Sequence, residues 1–110
     1  MDKELATFSF KGKTLYIMST TYKEGNRTAI VIQDNDGCPQ AVLTVNLPNQ
    51  PLEDDEFFVK TWSENEEISR AALYSGLFLD TGKRVTNGFV QAHVWKFAPV
   101  LLLRFLRKPL

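Results

Sequence analysis

Between Thr28 and Pro48, two runs rich in β-branched and aliphatic residues flank the turn Asp34-Asn35-Asp36-Gly37. Ala29-Ile30-Val31-Ile32 leads into the turn and Ala41-Val42-Leu43-Thr44-Val45 leads out of it. An Asp-Gly step between such runs signals antiparallel pairing, because Gly supplies the left-handed backbone that a tight hairpin needs. Pro39 cannot donate to a ladder, so it belongs at a strand start or at a bulge.

Upstream, Leu5 to Phe10 alternates, with Leu5, Thr7 and Ser9 on one face and Ala6, Phe8 and Phe10 on the other. Lys11-Gly12-Lys13 turns the chain into Leu15-Tyr16-Ile17-Met18, and Lys23-Glu24-Gly25-Asn26 makes the next turn. Residues 1–47 therefore predict a four-stranded antiparallel meander. Asn46-Leu47-Pro48-Asn49-Gln50-Pro51 ends it, since two prolines and two asparagines break both strand and helix periodicity.

In 48–62, Phe57 to Trp62 is expected as a fifth short strand or an extended run into a helix. Ser63 and Glu66 have capping-box spacing, which predicts a helix from about Glu64 to Ser75 with Ile68, Ala71, Ala72 and Ser75 facing inward and Gly76 as its left-handed stop. In 77–97, Thr81-Gly82-Lys83-Arg84 and Asn87-Gly88 read as turns and Phe89 to Phe97 as a last, central strand. Pro99 suits the first position of a short helix over Val100 to Lys108, although a strand fits the tail 98–110 as well. The expected fold is a single α+β domain: an antiparallel sheet of about five strands packed by one helix, with a short C-terminal helix or strand. At 110 residues the chain holds one core and not two.

Charge is balanced in total and uneven in layout. Residues 53–67 carry seven acids against Lys60, giving −6: Glu53, Asp54, Asp55, Glu56, Glu64, Glu66 and Glu67. Residues 83–110 carry Lys83, Arg84, Lys96, Arg104, Arg107 and Lys108 with no acid, giving +6. Such segments are solvated faces or surfaces that steer a partner of opposite charge. The acidic set (Glu53, Asp54, Asp55, Glu56, Glu64 and Glu67 above all) is the candidate surface for a protein with a basic groove. The alternative is nucleic-acid binding through Lys83, Arg84, Arg104, Arg107 and Lys108, where Phe89, Trp95 and Phe105 offer aromatic faces beside cations. Leu101, Leu102, Leu103 and Leu106 add a third expectation, a homodimer through the tail.

Catalysis is not expected. His93 and Cys38 are the only histidine and cysteine, so one chain cannot assemble a zinc site of Cys/His spacing. His93 lies within an apolar strand and reads as a packed structural residue. Glu53-Asp54-Asp55-Glu56 lacks the calcium-loop pattern and its distal Glu, and the glycines are scattered singly, so no metal, phosphate loop or cofactor is implied. The longest apolar run, Phe97 to Leu103, is seven residues, well short of the roughly 18 that a bilayer needs. With no signal-peptide pattern after Met1-Asp2-Lys3-Glu4 and one unpaired cysteine, the expected location is the cytoplasm, without a membrane partner.

The pattern Asp34-x-x-Gly37-x-Pro39-x-Ala41-x-Leu43-Thr44-Val45-Asn46-Leu47-Pro48, then Phe57-Phe58-Val59-Lys60, a Glu- and Ala-rich helix, Gly76-Leu77, Thr81-Gly82 and the aromatic run Phe89 to Phe97 resembles a small domain family of conjugative elements and phages of gut bacteria. The likeness spans roughly residues 8 to 97 and leaves the tail out. The family has no established catalytic residues, so the resemblance assigns no site. It implies a genomic context in which small accessory proteins act against host defence or regulate transfer, here as a non-catalytic inhibitor that binds a host protein.

Overall fold

The computed structural model describes residues 3–106. β1 (Lys3–Phe10) and β2 (Lys13–Thr21) pair across a two-residue turn in which Lys11 and Gly12 both take positive φ, 50° and 77°. This is the turn whose twist matches that of paired strands. The alternation expected for β1 breaks between Glu4 and Ala6, where the register shifts, so Leu5 and Ala6 are both buried. β3 (Thr28–Gln33) pairs with β2, and the Asp-Gly turn joins it to β4 (Pro39–Val42). There Asp34 Oδ1 accepts from the amides of Asp36 and Cys38, each at 2.9 Å, and Gly37 takes φ +82°. Pro39 opens its strand beside a register shift.

The α+β class is as expected, but the strands number eight and divide into two antiparallel sheets among the described residues. The first is the meander β1-β2-β3-β4; the second has the order β5-β6-β8-β7. Ala41 to Val45, one strand by sequence, is shared between them. β4 ends at Val42, and β5 (Thr44–Val45) pairs with β6 (Glu56–Val59) in the second sheet. Leu43 is the crossing point: its amide donates to Ile30 O at 2.9 Å and its carbonyl accepts from the Lys60 amide at 2.8 Å. Thr44 Oγ1 accepts from the Ile30 amide at 3.1 Å and shares a 2.9 Å hydrogen bond with Tyr22 OH.

β7 (Phe78–Asn87) and β8 (Val90–Phe97) complete the second sheet, with β8 central as expected. β7 corrects the reading of Thr81 to Arg84 as a turn between strands. The strand continues through that segment as a bulge, with the register shifting between Asp80 and Arg84 and Gly82 at φ +85°.

Between β6 and β7 lie a 3-10 turn (Ser63–Asn65) and α1 (Glu66–Tyr74). The capping box does not form. Ser63 has φ +55° rather than the extended backbone that an N-cap requires, and no side chain caps either start. Asn65 is drawn inward instead, its Nδ2 donating to Val42 O at 2.8 Å and Lys60 O at 3.1 Å. α1 therefore begins at Glu66 and buries Ile68, Ser69 and Ala72, while Ser75 is exposed. Gly76, at φ +81°, ends it as expected.

Over the described part of the tail the chain is a helix, α2 (Pro99–Leu106), with Pro99 in its first position, and the expected continuation to Lys108 lies outside the described residues. α2 seals a core built from Leu15, Ile17, Ile30 and Ile32 of the first sheet and Phe57, Val59, Phe78, Trp95 and Phe97 of the second. Leu101 is fully buried there, Leu102 and Phe105 pack against it in part, and the Phe97 and Phe105 ring centroids are 4.7 Å apart. The other face of the second sheet carries a smaller cluster, Phe58, Ala92 and Val94, under the loop that bears Leu47 and Leu52. No helix among the described residues is long and apolar enough to cross a membrane.

Candidate functional site

The loop from Asn46 to Asp55 is fastened at both ends before it presents its acids. Arg27 donates through Nη1 to Leu47 O at 2.7 Å and through Nη2 to Gln50 O, and its guanidinium lies 5.9 Å from the Phe58 ring centroid. Asn46 Nδ2 donates to Glu24 O at 3.0 Å. At the far end, the Glu56 amide donates to Glu53 O at 3.1 Å, and the Glu53 amide donates back to Glu56 Oε1 at 3.0 Å. The two oxygens of Glu56 lie 2.8 and 2.7 Å from Lys83 Nζ.

Glu56 is therefore a brace rather than a presented charge, its side chain only 7% exposed. Burial on its own would raise its pKa. The Lys83 hydrogen bond, the Glu53 amide and the charges of Lys83 and Lys96 outweigh that and hold it below the ordinary glutamate value. Glu53, Asp54 and Asp55 make the tip of the turn, and none has a cation within salt-bridge distance among the described residues.

The remaining acids of the set sit elsewhere. Glu67 pairs with Lys11 at 2.6 Å, Glu66 with Arg70 at 3.8 Å, and Glu64 with Lys60. The hydrogen bonds from Lys60 and Lys11 lower the pKa values of Glu64 and Glu67. Glu64, Glu66 and Glu67 line a cleft of about 640 Å³ with Lys11, Lys13 and Arg70, so its charges balance. Glu53, Asp54 and Glu56 line a different, smaller cleft beside Gly25, Asn26 and Arg27. The structure thus divides the acidic segment and leaves only the loop tip unmatched.

The basic set is dispersed as well. Lys83 is held by Glu56, and Arg84 forms a two-pronged pair with Asp80, both bonds 2.8 Å. That pairing raises the Arg84 pKa and lowers that of Asp80. Arg104 Nη1 donates to Leu5 O at 3.1 Å. Arg107 and Lys108 lie outside the described residues. Of the aromatics expected beside these cations, Trp95 is buried, Phe105 packs on the core in part, and Phe89 is fully exposed at the β7–β8 turn.

No family model matches the chain, and no curated protein or solved structure matches it either. The site has to be read from its own geometry.

Beside α1 and β8 lies a groove of about 460 Å³ that was not expected from the sequence, lined by Trp62, Ser69, Arg70, Asp80, His93 and Trp95 among others. Both tryptophans and the single histidine of the chain meet there. The available signal was the period-two face shared by His93 and Trp95; the approach of Trp62 depends on tertiary structure. The imidazole is half-buried, and burial first, then the Arg84 charge, lowers its pKa against the opposing pull of Asp80. Both Asp80 oxygens accept from Arg84, Oδ1 accepts from the Gly82 amide as well, and Ser69 Oγ donates to Glu66 O.

Proposed function

We propose that this chain is a non-catalytic binding domain that presents Glu53, Asp54 and Asp55 to a protein with a basic surface. One observation carries the reading. Four acids of the segment, Glu56, Glu64, Glu66 and Glu67, each have a cationic partner, whereas the three at the loop tip have none among the described residues. Adjacent like charges repel, so a folded chain gains nothing in its own stability from holding them together. The Arg27 and Glu56 anchors keep the turn ordered, which lowers the entropic cost of docking. The resemblance to accessory domains of phages and conjugative elements supplies the context: the partner is a host protein, and binding inhibits a host defence. Nucleic-acid binding is less favoured, because Lys83, Arg84 and Arg104 are each engaged within the chain.

The test is capture of host proteins from a gut-bacterial extract on immobilised parent and on an Asp54→Lys/Asp55→Lys variant. Glu56 is left intact because it braces the loop. The parent is expected to retain a partner at low salt and to lose it progressively as ionic strength rises, while the variant retains none and melts at the parental temperature. Undiminished capture by the variant would refute the proposal.

A further inference from the structure

Among the described residues one buried side-chain donor has no acceptor, the indole Nε1 of Trp95. Such orphans are rare in native proteins, because a buried N–H without a partner has lost its water and gained nothing in return. Trp95 is 2% exposed, and the side chains clustered with it in the core, Phe57, Phe78 and Phe97 among them, are all apolar. The polar surroundings that it does border are those of the groove beside α1. The groove is thus the side from which an acceptor can reach the indole.

The other polar groups of the groove narrow what that acceptor belongs to. Asp80 commits both oxygens to Arg84 and one of them to the Gly82 amide, and Arg70 stands 3.8 Å from Glu66, so no charge there calls for an ion. His93 precedes Trp95 by two residues on the same face of β8, and no hydrogen bond of the described residues engages its ring. Its lowered pKa keeps it uncharged at neutral pH, so one ring nitrogen donates and the other accepts. Trp62, half-buried, adds an aromatic wall, and about 460 Å³ lies within the range of small-molecule sites.

We infer that the groove binds a planar heteroaromatic lactam, a ring with a carbonyl beside a ring N–H, as in an oxopurine or a uracil base. The carbonyl accepts from Trp95 Nε1, the neighbouring N–H donates to the unprotonated nitrogen of His93, and the ring lies against Trp62. A lactam answers both unfilled positions at once, because it sets an acceptor next to a donor on one rigid edge. An aliphatic guest would leave the indole without a partner. The groove shares no residue with the Glu53 to Asp55 tip, so this site stands apart from the acidic surface.

In proton–nitrogen correlation spectra the two tryptophans give two indole signals, and Trp62→Phe tells them apart. Uridine and inosine, each added up to about 10 mM to cover the weak affinity of so small a ligand, should move the Trp95 indole proton downfield along a saturating curve. Purine riboside, which is inosine without the lactam, should leave it in place. Trp62→Ala should weaken inosine binding roughly 5-fold or more, as the loss of one stacking partner does. His93→Phe keeps a ring and removes both nitrogens; it should weaken binding as well, and it carries the test if the Trp62 variant melts early. Phe89→Ser, at the exposed β7–β8 turn, should bind as the parent does. A Trp95 signal that neither uridine nor inosine moves, as it would be if water alone filled the groove, overturns the inference. An equal shift with purine riboside, or binding undiminished by the substitutions at Trp62 and His93, overturns it too.

Discussion

Asn65→Ala is expected to be among the most damaging single truncations of a polar side chain in this protein. Asn65 is 1% exposed, and its amide hydrogens reach the carbonyls of Val42, at the end of the first sheet, and Lys60, just past β6 of the second. Truncation leaves two part-buried acceptors without their donor at about 1–3 kcal/mol each, and access of water to them brings the expected total to about 2–4 kcal/mol. Against a typical total of about 5–15 kcal/mol, that is a large fraction. Urea unfolding followed by tryptophan fluorescence should show a midpoint lower by about 1.3–2.7 M, for a slope of about 1.5 kcal/mol per molar.

The isosteric Asn65→Asp separates hydrogen bonding from size. Its carboxylate would face two carbonyl oxygens, so its folded-state pKa must rise above the unfolded value of about 3.9. A raised pKa means that the damage is full at neutral pH and shrinks as pH falls toward the unfolded value, where the protonated acid donates one bond. At pH 7 the Asp variant should therefore be the less stable of the two, and the gap should narrow by pH 5. An Asn65→Ala variant within about 0.5 kcal/mol of the parent, or an Asp variant that tracks it at every pH, would refute the assigned role.

Glu56 has a lowered pKa, so its contribution to stability is present above the unfolded glutamate value of about 4.3 and is lost as pH falls through the folded value. Lys83→Met should then cost about 1 kcal/mol at pH 7, discounted because Lys83 is half exposed, and the difference from the parent should vanish in melts at acid pH. Arg27→Ala removes the donors to Leu47 O and Gln50 O, so limited proteolysis should cut the loop between Asn46 and Leu52 faster than in the parent. An unchanged cleavage rate would mean that the Leu47 and Leu52 contacts alone hold the loop.

What the sequence announced was whatever a local rule governs. The Asp-Gly turn and the left-handed stop at Gly76 depend on neighbours in the chain and both stand, and of the helix and the strand that the tail allowed, the helix opening at Pro99 is the one that forms. The strand switch at Leu43 has no local signature. Ala41 to Val45 is a plausible strand at every position, and only pairing with Ile30 on one side and Val59 on the other divides it between sheets. Thr81-Gly82-Lys83 carries the composition of a turn, and a bulge uses the same residues for the same backbone reason. Ser63 and Glu66 satisfied a capping pattern that lost to a tertiary demand, the burial of the Asn65 amide.

The acids of the site were visible as charges, but their partners were not. Lys83 lies 27 residues from Glu56 and Lys11 lies 56 from Glu67, separations at which only strand register and helix packing decide who meets whom. The difference between a braced carboxylate and a presented one is therefore a property of topology. Trp62 likewise joins His93 and Trp95, which share a strand face, in one groove from a segment that gives no hint of proximity.

The crossing at Leu43 has a consequence for how the protein opens. One residue donates its amide to the first sheet and lends its carbonyl to the amide that follows β6, and the next side chain, Thr44, accepts from the Ile30 amide. Neither sheet can peel away while this seam is closed, and breaking it frees groups belonging to both. Amide exchange should accordingly find β2, β3, β6 and β8 opening together as one cooperative unit, rather than as an early-melting sheet and a late one. A nick in the backbone between Val42 and Thr44 would not release two independent halves. It would leave two fragments, each able to regain its core only by finding the other.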